Sequence, residues 1–160
     1  MKQLLPALLV CATVTMTVSA DVGPQVDVPT RAKAAGRVFL GRVVDVQSRF
    51  ETNRFGDQLI ASTVIVDVLE DMKGAREAQV RVAIEGGTVG DLTLKVSDLP
   101  SLRRGDRAVF FLNGAVGGML VPNDRGRGIM KLSGDDRVEG SALTLADVRR
   151  QVASVAGAAR

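Results

Sequence analysis

Three carboxylates, Glu85, Asp91 and Asp98, flank the glycine-rich bend Gly86-Gly87-Thr88-Val89-Gly90. Two acids facing each other across a cleft are enough to split a glycosidic bond, one as proton donor and the other as base or nucleophile. Little else in the chain offers an alternative chemistry. It contains no His, no Trp and no Tyr, and its one Cys is Cys11. Without His there is no Ser-His nucleophile pair, no zinc deaminase centre and no His-ligated metalloprotease. Without a thiol beyond Cys11 there is no cysteine nucleophile, thiolate zinc site or iron-sulfur cluster in the rest of the chain. A carboxylate hydrolase resting on Glu85 or Asp91 is the enzymatic reading that survives. With no Trp or Tyr to stack on a sugar, solvated turn acids are the simpler account of these residues.

Other ligand chemistries are weaker. Asp124, Asp135 and Asp136 offer hard oxygens of the kind calcium takes, but their spacing matches no EF-hand loop. Gly86 to Gly90 and Gly126-Arg127-Gly128 lack the Gly-Lys-Ser/Thr ending of a phosphate-cradling loop and read as turns. Arg49 and Arg54 interleave with Phe50 and Phe55, a faint version of a stacking platform for nucleic acid. Closure of a small core at the base of that loop is the preferred role for the two Phe residues. The formal net charge of +3 is spread over scattered basic residues with acidic neighbours, an ordinary solvated surface. No nucleic acid, cofactor or metal is therefore expected.

These residues must be positioned by strands. Gly36 to Ser48 and Leu59 to Glu70 are dense in aliphatic residues with period-two character, which predicts two half-buried strands joined by a 49–58 loop. Val38, Leu40, Val44 and Val46 are expected on one face, with Arg42 interrupting it beside Gly41. In the second strand Ile60, Val64, Val66 and Val68 form the apolar row. Val80, Val82 and Ile84, then Leu92, Leu94 and Val96, continue the alternation on either side of the glycine bend. The run Ala108-Val109-Phe110-Phe111-Leu112 has no polar side chain and predicts the most deeply buried strand. Phe110 and Phe111 point to opposite faces, so one needs a cover other than the sheet interior. The closing segment supplies one: Thr144 and Asp147 have capping-box spacing, and Leu145, Val148, Val152 and Val155 line one face of a helix over 144–157. Two short strands at 119–121 and 129–132 complete the sheet.

Residues 1–20 have the plan of a secretory signal peptide: Lys2, an apolar run from Leu4, and Val18-Ser19-Ala20 before Asp21. Residues 21–35 form an N-terminal extension whose last part can make a helical turn capped by Thr30, and 36–160 form a single domain. The apolar run of the leader is too short and too interrupted by Thr for a membrane anchor, so no integral membrane segment is expected in the mature chain. A periplasmic or secreted location follows.

The order of short motifs resembles that of a family of uncharacterised exported bacterial β-domains. It is carried by Val38-Phe39-Leu40-Gly41-Arg42-Val43-Val44-Asp45-Val46, Leu69-Glu70-Asp71-Met72-Lys73-Gly74, Glu85-Gly86-Gly87, Leu99-Pro100, Arg104-Gly105-Asp106 and Phe110-Phe111-Leu112. More distantly it is similar to netrin-like domains and tissue inhibitors of metalloproteinases, which implies an OB-type barrel. The N-terminal cysteine and disulfides those inhibitors use are absent here, and no inhibitory residue is carried over.

The expected fold is thus all-β with a C-terminal helix: an OB-like five- or six-stranded antiparallel barrel, with a β-sandwich as the alternative. The expected function is an exported non-catalytic binding or structural module. Loops on a rigid scaffold commonly carry recognition, which selects Arg49, Arg54, Phe55, Gly86, Gly87 and Asp91 as binding residues. The alternative is an inhibitor or accessory protein of an exported hydrolase, with an exported protein as partner in either case.

Overall fold

In the computed structural model, residues 27–53 and 55–157 are described. The proposed leader 1–20 lies outside them, as do residues 21–26 of the extension and Arg54. The elements run α1 (Val28–Ala34), β1 (Arg37–Thr52), β2 (Gln58–Lys73), β3 (Gln79–Glu85), β4 (Gly87–Val89), β5 (Leu92–Leu94), β6 (Arg107–Val116), β7 (Met119–Pro122), β8 (Ile129–Leu132) and α2 (Leu145–Gly157). A 3-10 turn at Arg125–Gly128 precedes β8.

The expected antiparallel OB-type barrel is overturned, and so is the sandwich. The strands form one mixed, mostly antiparallel sheet of six in the order β1-β2-β3-β7-β6-β8, curled so that β1 also pairs β6, beside a separate two-stranded β4-β5 hairpin. The β3–β7 seam is parallel and consists of the single pair Val82–Leu120, where the barrel expectation required an antiparallel ladder. Strand patterning could not reveal this, because β3 and β7 are brought together by a long connection and not by a hairpin.

Alternation along β1 also differs from the expectation. Register shifts against β2 fall at Val38/Phe39, Leu40/Gly41 and Val43/Asp45; the first two leave the extra residue on β2, and the third leaves Val44 extra on β1, which breaks the period of two there. A bulge adds one residue on one strand and sends every later side chain to the other face. Val38 and Leu40 pack in one core with α1 and α2, and Phe39 and Val43, on the opposite face, in the other with Val64 and Val66; past the extra residue Val44, Val46 joins Val43 on that second side, and Arg42 is exposed. Gly41 is needed at this crossing, since a Cβ there would collide with the Val66 side chain.

Two cores result, on opposite sides of β1 and β6. Phe110 stacks on Phe39, ring centroids 5.2 Å apart, in the core that includes Val64, Val66, Val80 and Val82. Phe111 faces the other way, into a core closed by Val28 and Ala32 of α1 and Leu145, Val148 and Val152 of α2. Both Phe side chains are fully buried.

The helices are anchored by polar contacts. Asp27, not Thr30, caps α1, accepting a 3.0 Å bond from the Thr30 N–H. Lys73 Nζ closes the other end through the carbonyls of Ala32 and Ala35, at 2.7 and 2.6 Å. At α2 the Thr144 N–H donates to Asp147 Oδ2 at 2.9 Å and the Asp147 N–H donates to Thr144 Oγ1 at 3.2 Å, a reciprocal cap. Arg149 grips Glu70 of β2 through two nitrogens.

Two outcomes follow. Val152→Asp places an unpaired charge beneath α2 and should cost about 3–5 kcal/mol in urea denaturation; an unchanged midpoint would show that α2 is not packed. Hydrogen bonds from Thr144, with Arg150 adding to them, hold the Asp147 carboxyl below the usual carboxylate range. Its stabilising contribution is complete above the ordinary aspartate pKa and is lost as pH falls through the depressed one. The stability gap between the native chain and Asp147→Asn should therefore close on acidification, as read by thermal melts at several pH values.

Candidate functional site

The sheet does not continue evenly beside β1. Up to Arg42, β1 pairs with β6, and Val43 still bonds to the turn before it: its N–H donates to Asp106 O and its carbonyl accepts from the Gly105 N–H, both at 2.8 Å. Beyond the bulge at Val43/Asp45 the two diverge. The space opened there is a groove of about 590 Å³ between β1 and β2, the β4-β5 hairpin and the 95–103 segment.

Its floor is a relay of two hydroxyls between backbone groups of the hairpin. Ser62 Oγ donates to the Gly86 carbonyl at 2.6 Å, so its other neighbour, Ser48 Oγ at 2.8 Å, must be the donor to it. Ser48 Oγ in turn accepts from the Thr88 N–H at 3.3 Å. These bonds dock the hairpin onto the ribbon formed by β1 and β2. Gly87 is the point of closest approach: a Cβ there would strike both serine hydroxyls, and its φ of 135° disfavours any side chain. Leu94, Val96, Leu99, Pro100 and Leu102 supply much of the apolar lining, and Glu85, Lys95 and Arg103 its charges.

The carboxylates do not form a facing pair. Glu85 and Asp98 both turn to the Arg125 guanidinium, Glu85 by a short hydrogen-bonded ion pair and Asp98 at 3.7 Å. Asp91 sits in the β4-β5 turn, at the opposite end of the hairpin from Glu85. The loop acids considered for calcium are each turned to an arginine: Asp124 to Arg127 at 3.4 Å, Asp135 to Arg137 at 3.1 Å and Asp136 to Arg107 at 2.6 Å. The Ser133 hydroxyl, with Arg137 beside it, also holds the Asp135 carboxyl below the usual range. Among the described residues no three His, Cys, Asp or Glu converge as a metal-binding group. Nor is any described helix long and apolar enough to cross a membrane.

The binding residues expected from sequence are dispersed. Gly86 and Gly87 belong to the groove, and Asp91 lies at the exposed hairpin tip. Arg49 is on the outer part of β1, paired to Glu51, and Phe55 is 73% exposed at the turn of the ribbon. Phe50 is 46% exposed, so the small core expected from the two Phe residues is not formed. The 49–58 segment is only partly loop, since Arg49–Thr52 belong to β1 and pair with Gln58–Ala61 of β2. Ser48, Ser62 and the 95–103 wall were missed. Their signal is faint: two serines directly opposite each other in otherwise aliphatic strands.

No protein-family model matches this sequence, and no curated protein does either.

Gly87→Ala should lower stability by about 2 kcal/mol, from a strained φ and a forced separation of hairpin and ribbon. A melt indistinguishable from the native chain would show that the serine relay does not hold the hairpin.

Proposed function

We propose that this chain is an exported, non-catalytic protein-binding module that works as an inhibitor or accessory protein of an exported hydrolase. The observation that carries this reading is the state of the polar groups around the groove. The Ser48 and Ser62 hydroxyls are spent on holding the hairpin, and two of the three acids flanking the bend, Glu85 and Asp98, are held by Arg125. A site with these groups engaged offers surface and hydrogen-bonding edges, not a poised acid or nucleophile. Leu92, 62% exposed beside the groove, and Phe55 at the ribbon turn are apolar projections of the kind a protein partner covers. The leader-like residues 1–20 and the motif order that resembles exported bacterial β-domains support a periplasmic or secreted site of action.

The test is titration of the purified chain into secreted hydrolases of several mechanisms: a serine protease, a metalloprotease and a lysozyme-type glycosidase. For a susceptible class, activity should change to a plateau at a stoichiometric ratio, and Leu92→Asp with Lys95→Glu should weaken the effect at least tenfold without altering the melt. Turnover of a glycoside by the chain itself, lost in Glu85→Gln, would replace this reading with the carboxylate enzyme.

A further inference from the structure

The outer half of β1 has one free edge. Ile60, opposite Phe50, gives its carbonyl to the Gly86 N–H on the β3 side. The Phe50–Ile60 pair is therefore one of the pairs that exchange no backbone bonds, and the N–H and C=O of Phe50 point away from β2. The Asn53 N–H, by contrast, donates to Asp57 O within the ribbon. The alternation fixes the rest: Ser48, Phe50 and Thr52 direct their backbone groups outward, Arg49 and Glu51 toward β2. On that outward side β1 has lost β6 after Arg42, and among the described residues no backbone group reaches the outward groups of Ser48, Phe50 or Thr52. Only at Val46 does a side chain blunt the edge, Asp45 Oδ1 accepting from the Val46 N–H at 2.9 Å.

Such an edge is a template for another strand. We infer that its occupant is a second copy of this chain, paired antiparallel through Ser48 to Thr52 about a two-fold axis at Phe50. The sequence Ser48-Arg49-Phe50-Glu51-Thr52 is complementary to itself in this register alone. Phe50 meets Phe50 of the second copy, Ser48 meets Thr52, and Arg49 meets Glu51, the last two pairs each occurring twice. Aromatic, hydroxyl and opposite-charge pairs are the favourable cross-strand combinations. The register also satisfies the backbone, because the outward-facing residues oppose one another: Phe50 faces Phe50, and Ser48 faces Thr52. Shifting the axis to Arg49 or Glu51 places like charges face to face, and shifting it to Ser48 sets Asp45 against Glu51. Arg49 and Glu51 are two residues apart on one face and already pair within the chain, so the dimer gathers both pairs into one alternating cluster. It also covers the exposed Phe50 rings. The interface meets the groove described above at Ser48, which belongs to both, while Arg49 to Thr52 lie outside the groove lining.

A seam this short gives a weak, concentration-dependent dimer. Sedimentation equilibrium with the purified chain should show monomer and dimer, and amide NMR shifts that move with concentration should map to residues 48–52. Arg49→Glu and Glu51→Arg each convert both charge oppositions to repulsions and should raise the dissociation constant about tenfold. The combined variant R49E/E51R should return it to within about threefold of the native value. Phe50→Pro removes an outward N–H that β2 does not use, and should abolish the dimer. The charge variants sit on exposed side chains and test the register even if the proline variant folds poorly. A chain that stays monomeric to millimolar concentration, or a dimer indifferent to the charge swap, overturns the inference. So does an edge whose amides respond only to an added extended peptide.

Discussion

The strand Ala108–Leu112 carries no polar side chain, and every residue in it is buried. A strand of that kind must be covered on both faces, because leaving either Phe110 or Phe111 in water forfeits about 2–3 kcal/mol of burial. The consequence is a molecule with two cores and not one. Phe110 organises the interior of the curled sheet with Phe39, and Phe111 requires the layer built from α1 and α2. The contacts that fix the helices, Lys73 to the end of α1 and Arg149 to Glu70, both reach back to β2, so the second core is fastened to the first by the same ribbon.

That requirement also explains where the molecule is left open. β1 serves both cores by alternation, and its bulge at Val44 turns Val46 from the helix side to the interior. By Val43 it has finished with β6, yet it runs on with β2 to Thr52. The remaining length encloses a groove on one side and leaves a bare strand edge on the other. The hairpin β4-β5 stays outside the six-stranded sheet, tied to the ribbon by the serine hydroxyls and by the Gly86 N–H bond to the Ile60 carbonyl. Binding surface thus comes from what the cores do not use.

Much of this was legible in the residues. Period two marks β1 and β2, the unbroken apolar run marks β6, and the Thr144 and Asp147 spacing marks the start of α2. What was not legible has physical causes. The bulge at Val44 inverts the alternation of β1 with no compositional sign, so Val38 and Val46 were placed on one face when they serve different cores. The parallel Val82–Leu120 seam depends on a connection of many residues and cannot be read from local pattern, which is why the antiparallel barrel was wrong. Asp27 outcompetes Thr30 as a cap because its side chain reaches the Thr30 N–H from outside the helix. At the site, glycines 86 and 87 drew notice as flexible residues. Their actual role is steric: Gly87 makes room for two serines that sequence reading treated as ordinary strand residues, and Gly86 for the Leu94 carbonyl.

The most direct test of this account is residue-resolved amide hydrogen exchange. The amides of Ala108 to Leu112, closed in by both cores, should exchange only through global unfolding, at the rate set by the full stability of the chain. Under dilute conditions the outward amides of Ser48, Phe50 and Thr52 should exchange orders of magnitude faster, although they lie in the middle of the longest ribbon. Uniform protection along β1 through Thr52, or fast exchange at Phe110 and Phe111, would contradict it.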